Sequence, residues 1–271
     1  MNTATALPAD RSPWHVGSVS FLNAKPLIRG LDADPRVRLH LEVPSRLLSG
    51  LADRRFDVAL LPVIDLQRLP GLRLIPAGGI GCDGPTLTVR LFGRRPLDRI
   101  NTLLCDTDSH TSVALARVIL AERFGRRPTL VDLAGEAARD RDLPRLLIGD
   151  KVITDEPAGF PHQLDLGQAW KELTGLPFVF AAWAGRSDAD LGDLPAVLTA
   201  ARRRGLAEVE AIVARFAPEH HWPAAIARQY LTEYLKFEIG EPQLEAVRLF
   251  HRLAAKHGVI EHEPWPLDVQ R

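Results

Sequence analysis

At 271 residues the chain exceeds one average domain, so a single large α/β unit or two lobes can be built, and two lobes are the expectation. Apolar residues make up 46% and charged residues 25%, an ordinary globular composition that argues against disorder. Lys plus Arg equals Asp plus Glu at 34 each, so no overall field draws the chain to nucleic acid or to an anionic membrane.

The leader MNTATALPADRSP has neither a basic n-region nor an apolar h-region, and no later run approaches the roughly 20 apolar residues that span a bilayer. A cytoplasmic protein without membrane insertion is expected. Cys82 and Cys105 are too few for a disulfide framework and lack the companions of a zinc site, so both are expected to be reduced and structural.

Trp14 to Phe21 alternates loosely as a strand, and Ala24 to Leu31 suits a short helix ending near Gly30 with Pro26 in its first turn. Arg38 to Val43 is a second strand. Pro44 and Ser45 then open a helix that carries Leu47, Leu48 and Leu51 on one face. Phe56 to Val63, FDVALLPV, is nearly continuous apolar sequence of strand length, as a parallel strand covered on both faces requires. Strand, helix and strand in this order make a right-handed βαβ unit. Leu72 to Ile75 is a short strand, residues 78–85 (GGIGCDGP) a glycine-rich turn, and Leu87 to Phe92 an alternating strand.

The polar tract 93–101 is where a first crossover between lobes is expected. Thr102 to Cys105 is the next strand, followed by the hydroxyl-rich junction Asp106 to Thr111 and a helix from Ser112 to Phe124, stopped by Gly125. Pro128 to Val131 and Arg145 to Ile148 are strands, and Leu164 to Leu173 is a helix with Trp170 facing inward. Pro177 to Trp183 is an apolar strand taken as the return crossover. Beyond Leu191 the pattern is helical, over Leu194 to Arg204, Glu208 to Phe216, Pro223 to Leu235 and Pro242 to His257. The expected lobes are 14–95 with 184–271, and 96–183.

Three strand-to-helix junctions carry small polar residues: Ser18, Ser20 and Asn23; Ser45; and Ser109, Thr111 and Ser112. In doubly wound sheets ligands sit outside the carboxyl ends of strands, where such junctions converge, and free N–H groups at a helix start attract a carboxylate. The competing reading is ordinary helix capping. Thr86 and Thr88 could aim hydroxyls into the same cleft, or simply belong to a turn entering a strand. Asp150, with Asp155 close behind, is either a carboxylate facing the cleft or a turn residue. His220-His221 and Glu261-His262-Glu263 lack ligand spacing, so no metal is expected and both are read as solvated surface. No GxGxxG, P-loop, GxSxG or HExxH is present.

Taken in order, VGSVSFLNAKPLIRGL, FDVALLPVIDL, GIGCDGPTLTVRLF, DTDSHTSVALARVIL, LLIGD, DLGQAWKELTGLPFVFAAW, YLKFEIG and AAKHGVI resemble the chorismate dehydratases of the futalosine route to menaquinone, from about Val16 to Ile260. The resemblance implies an α/β fold like the type 2 periplasmic binding proteins, two lobes closing on a ligand. It implies a carbon–oxygen lyase that turns chorismate into 3-[(1-carboxyvinyl)oxy]benzoate and water without a cofactor. Asn23 matches the asparagine of the family's N-terminal motif and Thr88 stands where the family usually has serine, so both are carried over as catalytic. Ser109, His110, Thr111 and Ser112 are carried over as carboxylate binders at a helix start, and Ser20, Pro62, Thr86 and Asp150 as substrate-binding walls. A homodimer is compatible with the sequence. Two rivals stay open. One is the dihydroxynaphthoate synthase of the same pathway, whose start is cysteine- and proline-rich; the other is a solute-binding protein that captures a small acid without turning it over.

Overall fold

A computed structural model of the chain describes residues 12–105, 109–135, 140, 142–154 and 157–270. Two sheets organise them. The first has β1 (Trp14–Ser18), β2 (Val37–Leu41), β3 (Val58–Pro62), β4 (Leu72–Cys82), β10 (Phe178–Arg186) and β11 (Leu235–Lys236) in the order β11-β4-β10-β3-β1-β2. The second has β5 (Val89–Gly93), β6 (Thr102–Cys105), β7 (Thr129–Asp132), β8 (Arg145–Ile148) and β9 (His162–Asp165) in the order β7-β6-β8-β5-β9. β1 pairs in parallel with β2 and β3, and β6 with β7 and β8; β10 and β5 run antiparallel to both their neighbours. Every residue of β3 is buried, which is why FDVALLPV reads as unbroken apolar sequence.

Sheet membership moves the crossings earlier than expected. β5 already belongs to the second sheet and β10 wholly to the first, so the chain crosses at 83–88 and returns after α4 (Leu166–Thr174), rather than near 95 and 183. The apolar alternation of both strands is the same whichever sheet they join, so periodicity alone could not assign them.

Two local expectations are also corrected. Ala24 to Leu31 forms no α-helix: a 3-10 turn at Leu22–Ala24 leads into further i→i+3 turns, with Leu27 N donating to Ala24 O and Leu31 N to Ile28 O. Pro26 has no N–H to give, and the tighter spiral sends Leu22, Ala24, Leu27 and Leu31 into the core. Residues 78–82 of the supposed glycine turn are the second half of β4. Glycine is required there because a Cβ on Gly79 would lie 2.6 Å from Ala181 O and one on Gly81 2.5 Å from Phe178 O, so β10 could not approach.

α1 (Pro44–Ala52) buries Leu47 and Leu51, and α2 (His110–Phe124) ends on Gly125 at φ +63. α3 (Asp150–Thr154) is one short turn, and α4 ends on Gly175 at φ +73 with Trp170 fully buried. The C-terminal part adds α5 (Leu194–Ala207), α6 (Val209–Glu219), α7 (Ala224–Gln229), a π-helical turn at Tyr230–Tyr234 and α8 (Glu241–Lys256). Among the described residues no helix is long and apolar enough to cross a membrane. Cys82 and Cys105 are buried thiols that form no disulfide, and burial pushes the Cys82 thiol up.

Candidate active site

A cavity of about 200 Å³ opens between the two sheets, at the carboxyl ends of β1, β3, β6 and β8. The first sheet's side supplies Phe21, Leu22, Asn23, Leu60, Pro62, Ile80 and Phe180. The second supplies Thr86, Thr88, Val89, Ser109, Ser112, Ile148, Gly149, Asp150 and Lys151, and the C-terminal part supplies Trp222, Tyr230 and Leu235. Apolar walls with a few converging polar groups suit a small organic acid whose ring is desolvated.

Seven of the residues singled out from sequence therefore meet: Asn23, Pro62, Thr86, Thr88, Ser109, Ser112 and Asp150. Ser20, His110 and Thr111 do not line the cavity. Ser20 is exposed at the end of the first strand. His110 Nδ1 lies 2.9 Å from Oδ2 of the fully buried Asp65, and the Thr111 hydroxyl accepts from Ile64 N at 3.3 Å, so both tie α2 to the segment after β3. Ser45 is exposed and caps nothing. Asp106 to Asp108 and Asp155 lie outside the described residues.

The first wall is not the α-helix N-terminus expected for GSVSFLNAKP, since only a 3-10 turn at Leu22–Ala24 starts there. What it offers is a side chain. Asn23 Oδ1 is buried with no hydrogen-bond partner among the described residues, and Asn23 lines the same cavity as Tyr230. An unpaired buried acceptor costs about 1–3 kcal/mol, so it marks a place where a ligand's donor is recovered. Lys25 turns the other way, its Nζ 4.3 Å from the centre of the Phe216 ring, with burial lowering its pKa.

Thr88 is held twice. Its carbonyl accepts from Gly149 N at 2.8 Å and its hydroxyl donates to the Tyr230 oxygen at 3.0 Å. The loop before it is clamped by Asp165, whose carboxylate accepts from Thr86 N (3.0 Å), Leu87 N (2.8 Å), Gly167 N (2.9 Å) and Gln168 N (3.1 Å). Burial raises the Asp165 pKa against these donors. The clamp holds Leu87 at φ +69, a left-handed conformation costly for a branched apolar residue. Ser109 caps α2, accepting from Ser112 N at 3.3 Å, so capping accounts for its hydroxyl and the N-terminus of α2 still faces the cavity.

Several neighbours escaped the sequence reading. Asp150 does not stand free: His220 Nδ1 donates to Oδ2 at 2.8 Å and Trp222 Nε1 to Oδ1 at 2.7 Å. His220, expected as solvated surface, is thus an anchor between the second sheet and the C-terminal part. Tyr230 closes the cavity with its ring 5.0 Å from that of Trp222. No spacing signal links residue 150 to residues 220, 222 and 230, 70 or more positions further along; only the fold brings them to one surface. His262, the other supposed surface histidine, is exposed but bonds Gln67 O at 2.9 Å.

A family model described as menaquinone biosynthesis matches residues 14–256. The chain belongs to the menaquinone biosynthesis family. Within reach of this family member is the chorismate dehydratase of Thermus thermophilus, 28% identical over 261 residues that cover 88% of this chain and 94% of the relative. Among solved structures, protein AF1704 from Archaeoglobus fulgidus superposes with a TM-score of 0.69 at 16% identity, covering 91% of this chain and 98% of that one. The alkanesulfonate-binding protein SsuA from Xanthomonas axonopodis pv. citri, bound to MOPS, superposes with a TM-score of 0.68 at 13% identity, covering 93% and 96%. At such identities the likeness speaks for the fold, which is that of the periplasmic binding proteins. This menaquinone-family chain carries its cavity between the two sheets of that fold.

Proposed function

We propose that this menaquinone-family protein is a chorismate dehydratase, removing the C4 hydroxyl and the C3 hydrogen of chorismate to give 3-[(1-carboxyvinyl)oxy]benzoate and water. The observation that carries the reading is the family match across 14–256, with the partnerless Asn23 Oδ1 at the cavity it encloses. With both carboxylates ionised, the hydroxyl is the only hydrogen-bond donor chorismate has, and Asn23 Oδ1 is an acceptor in need of one. Aromatisation makes the step downhill, so the protein's part is to hold the ring, orient the hydroxyl and exclude water. Leu22, Leu60, Ile80, Val89, Ile148 and Phe180 supply the dry walls. The N-terminus of α2 at Ser109 and Ser112 supplies N–H groups for a carboxylate, favoured there by the helix dipole.

Incubating the purified protein with chorismate and following the aromatic enol ether tests the proposal. Product formation is the expected result. Saturable binding of chorismate without product would replace the dehydratase by a receptor for small acids, the role of the sulfonate-binding relative in fold.

A further inference from the structure

Tyr230 is a polar group of the cavity to which the proposed reaction has so far given no task. The Thr88 hydroxyl, from the crossover into the second sheet, donates to its oxygen at 3.0 Å, and Asn23 of the first wall lines the same cavity. A donor fixed on that oxygen in a dry site stabilises a developing negative charge. With Thr88 donating to that oxygen, the phenol's own proton points elsewhere, and Tyr230 lines the cavity. The ring packs against Trp222, with ring centres 5.0 Å apart and planes tilted by 32°, and the residue opens a π-helical turn, a backbone irregularity common at functional sites. Burial pushes the phenol up to about 12, so at neutral pH it carries its proton and is equipped as an acid rather than a base.

Resting on the dehydration argued above, we propose that Tyr230 is the acid that protonates the departing hydroxyl, with the Thr88 hydroxyl holding the phenolate it leaves behind. Among the described residues that line the cavity the only carboxylate, Asp150, is already bonded to His220 and Trp222, so the base for the C3 proton is a carboxylate of the substrate. The C3–H electron pair becomes the new ring double bond, and the C4–O bond breaks with its pair on oxygen. That oxygen takes the phenol proton and leaves as water. The proton removed from C3 returns to the phenolate, so the protein ends as it began. Asn23 Oδ1 meanwhile accepts from the hydroxyl and aims its oxygen at the phenol.

Tyr230→Phe keeps the ring on Trp222 and removes only the acid, so it is expected to lower kcat at least about 100-fold, a typical acid–base contribution, with KM within about threefold. Fluorinated tyrosines introduced at 230 keep the hydroxyl and the fold while changing its acidity, and kcat is expected to follow that acidity, which a purely structural role would not produce. A kcat within about threefold of wild type in Tyr230→Phe, or one indifferent to fluorination, overturns the assignment while leaving the dehydratase reading intact. A wild-type protein that leaves chorismate unchanged overturns both.

Discussion

Asn23 lines the cavity with a buried Oδ1 that has no hydrogen-bond partner among the described residues. Asn23→Ala should therefore lower turnover of chorismate by about 100-fold or more while unfolding within about 1 kcal/mol of wild type, since no bond to the Oδ1 is lost from the free protein. Kinetics and chemical denaturation side by side check this, and unchanged kinetics would remove Asn23 from the chemistry. A second single-residue effect concerns pH. His251 is 2% exposed, its Nε2 donating to Val63 O at 2.9 Å and its Nδ1 accepting from Gln67 at 3.1 Å, and burial lowers it to about 4. Below its ordinary 6.5 the unfolded chain binds a proton that the folded chain refuses, so stability is full above about pH 6.5 and falls as pH drops toward 4. The loss attributable to this one group is about 3 kcal/mol, and denaturation of His251→Gln across that window should show a correspondingly flatter slope.

At the scale of elements, the crossover 83–88 is the segment on which the cavity depends, and it is shaped from outside itself. Asp165, at the end of β9, caps α4 with one set of bonds and grips Thr86 and Leu87 with another. Asp165→Ala would orphan four backbone donors and release Leu87 from φ +69, so a loss of about 2–4 kcal/mol in urea unfolding is expected, together with a raised KM as Thr86 and Thr88 lose their placement. A loss confined to stability, with KM unchanged, would mean that the clamp does not shape the cavity. The glycines of β4 show the same dependence on a neighbour: Gly79 and Gly81 look like turn residues in the chain and are strand residues because β10 passes too close for a side chain.

For the molecule as a whole, Asp150 joins the second sheet to His220 and Trp222 of the C-terminal part at the edge of the cavity. In this fold two lobes close by hinge motion on a ligand. Asp150→Ala should open the unliganded protein, giving a larger radius of gyration by small-angle scattering, and chorismate should compact the wild type more than the variant. Identical radii in all four samples would rule out lobe closure in solution.

The two-lobed α/β fold was legible in the chain because strand-length apolar runs such as FDVALLPV and helix caps such as Gly125 and Gly175 are local consequences of burial and backbone conformation. Motif order likewise brought Asn23 and Thr88 forward before any cavity was visible. What remained hidden was whatever depends on a distant partner. Ser20, His110 and Thr111 sit beside site residues in sequence yet face elsewhere, whereas Tyr230, His220, Trp222 and Asp165 reach the site or its clamp from far along the chain. A residue's type and spacing encode its own backbone preference, but which way its side chain faces, and what waits there, is set only when the sheets pack and the C-terminal helices fold back over them.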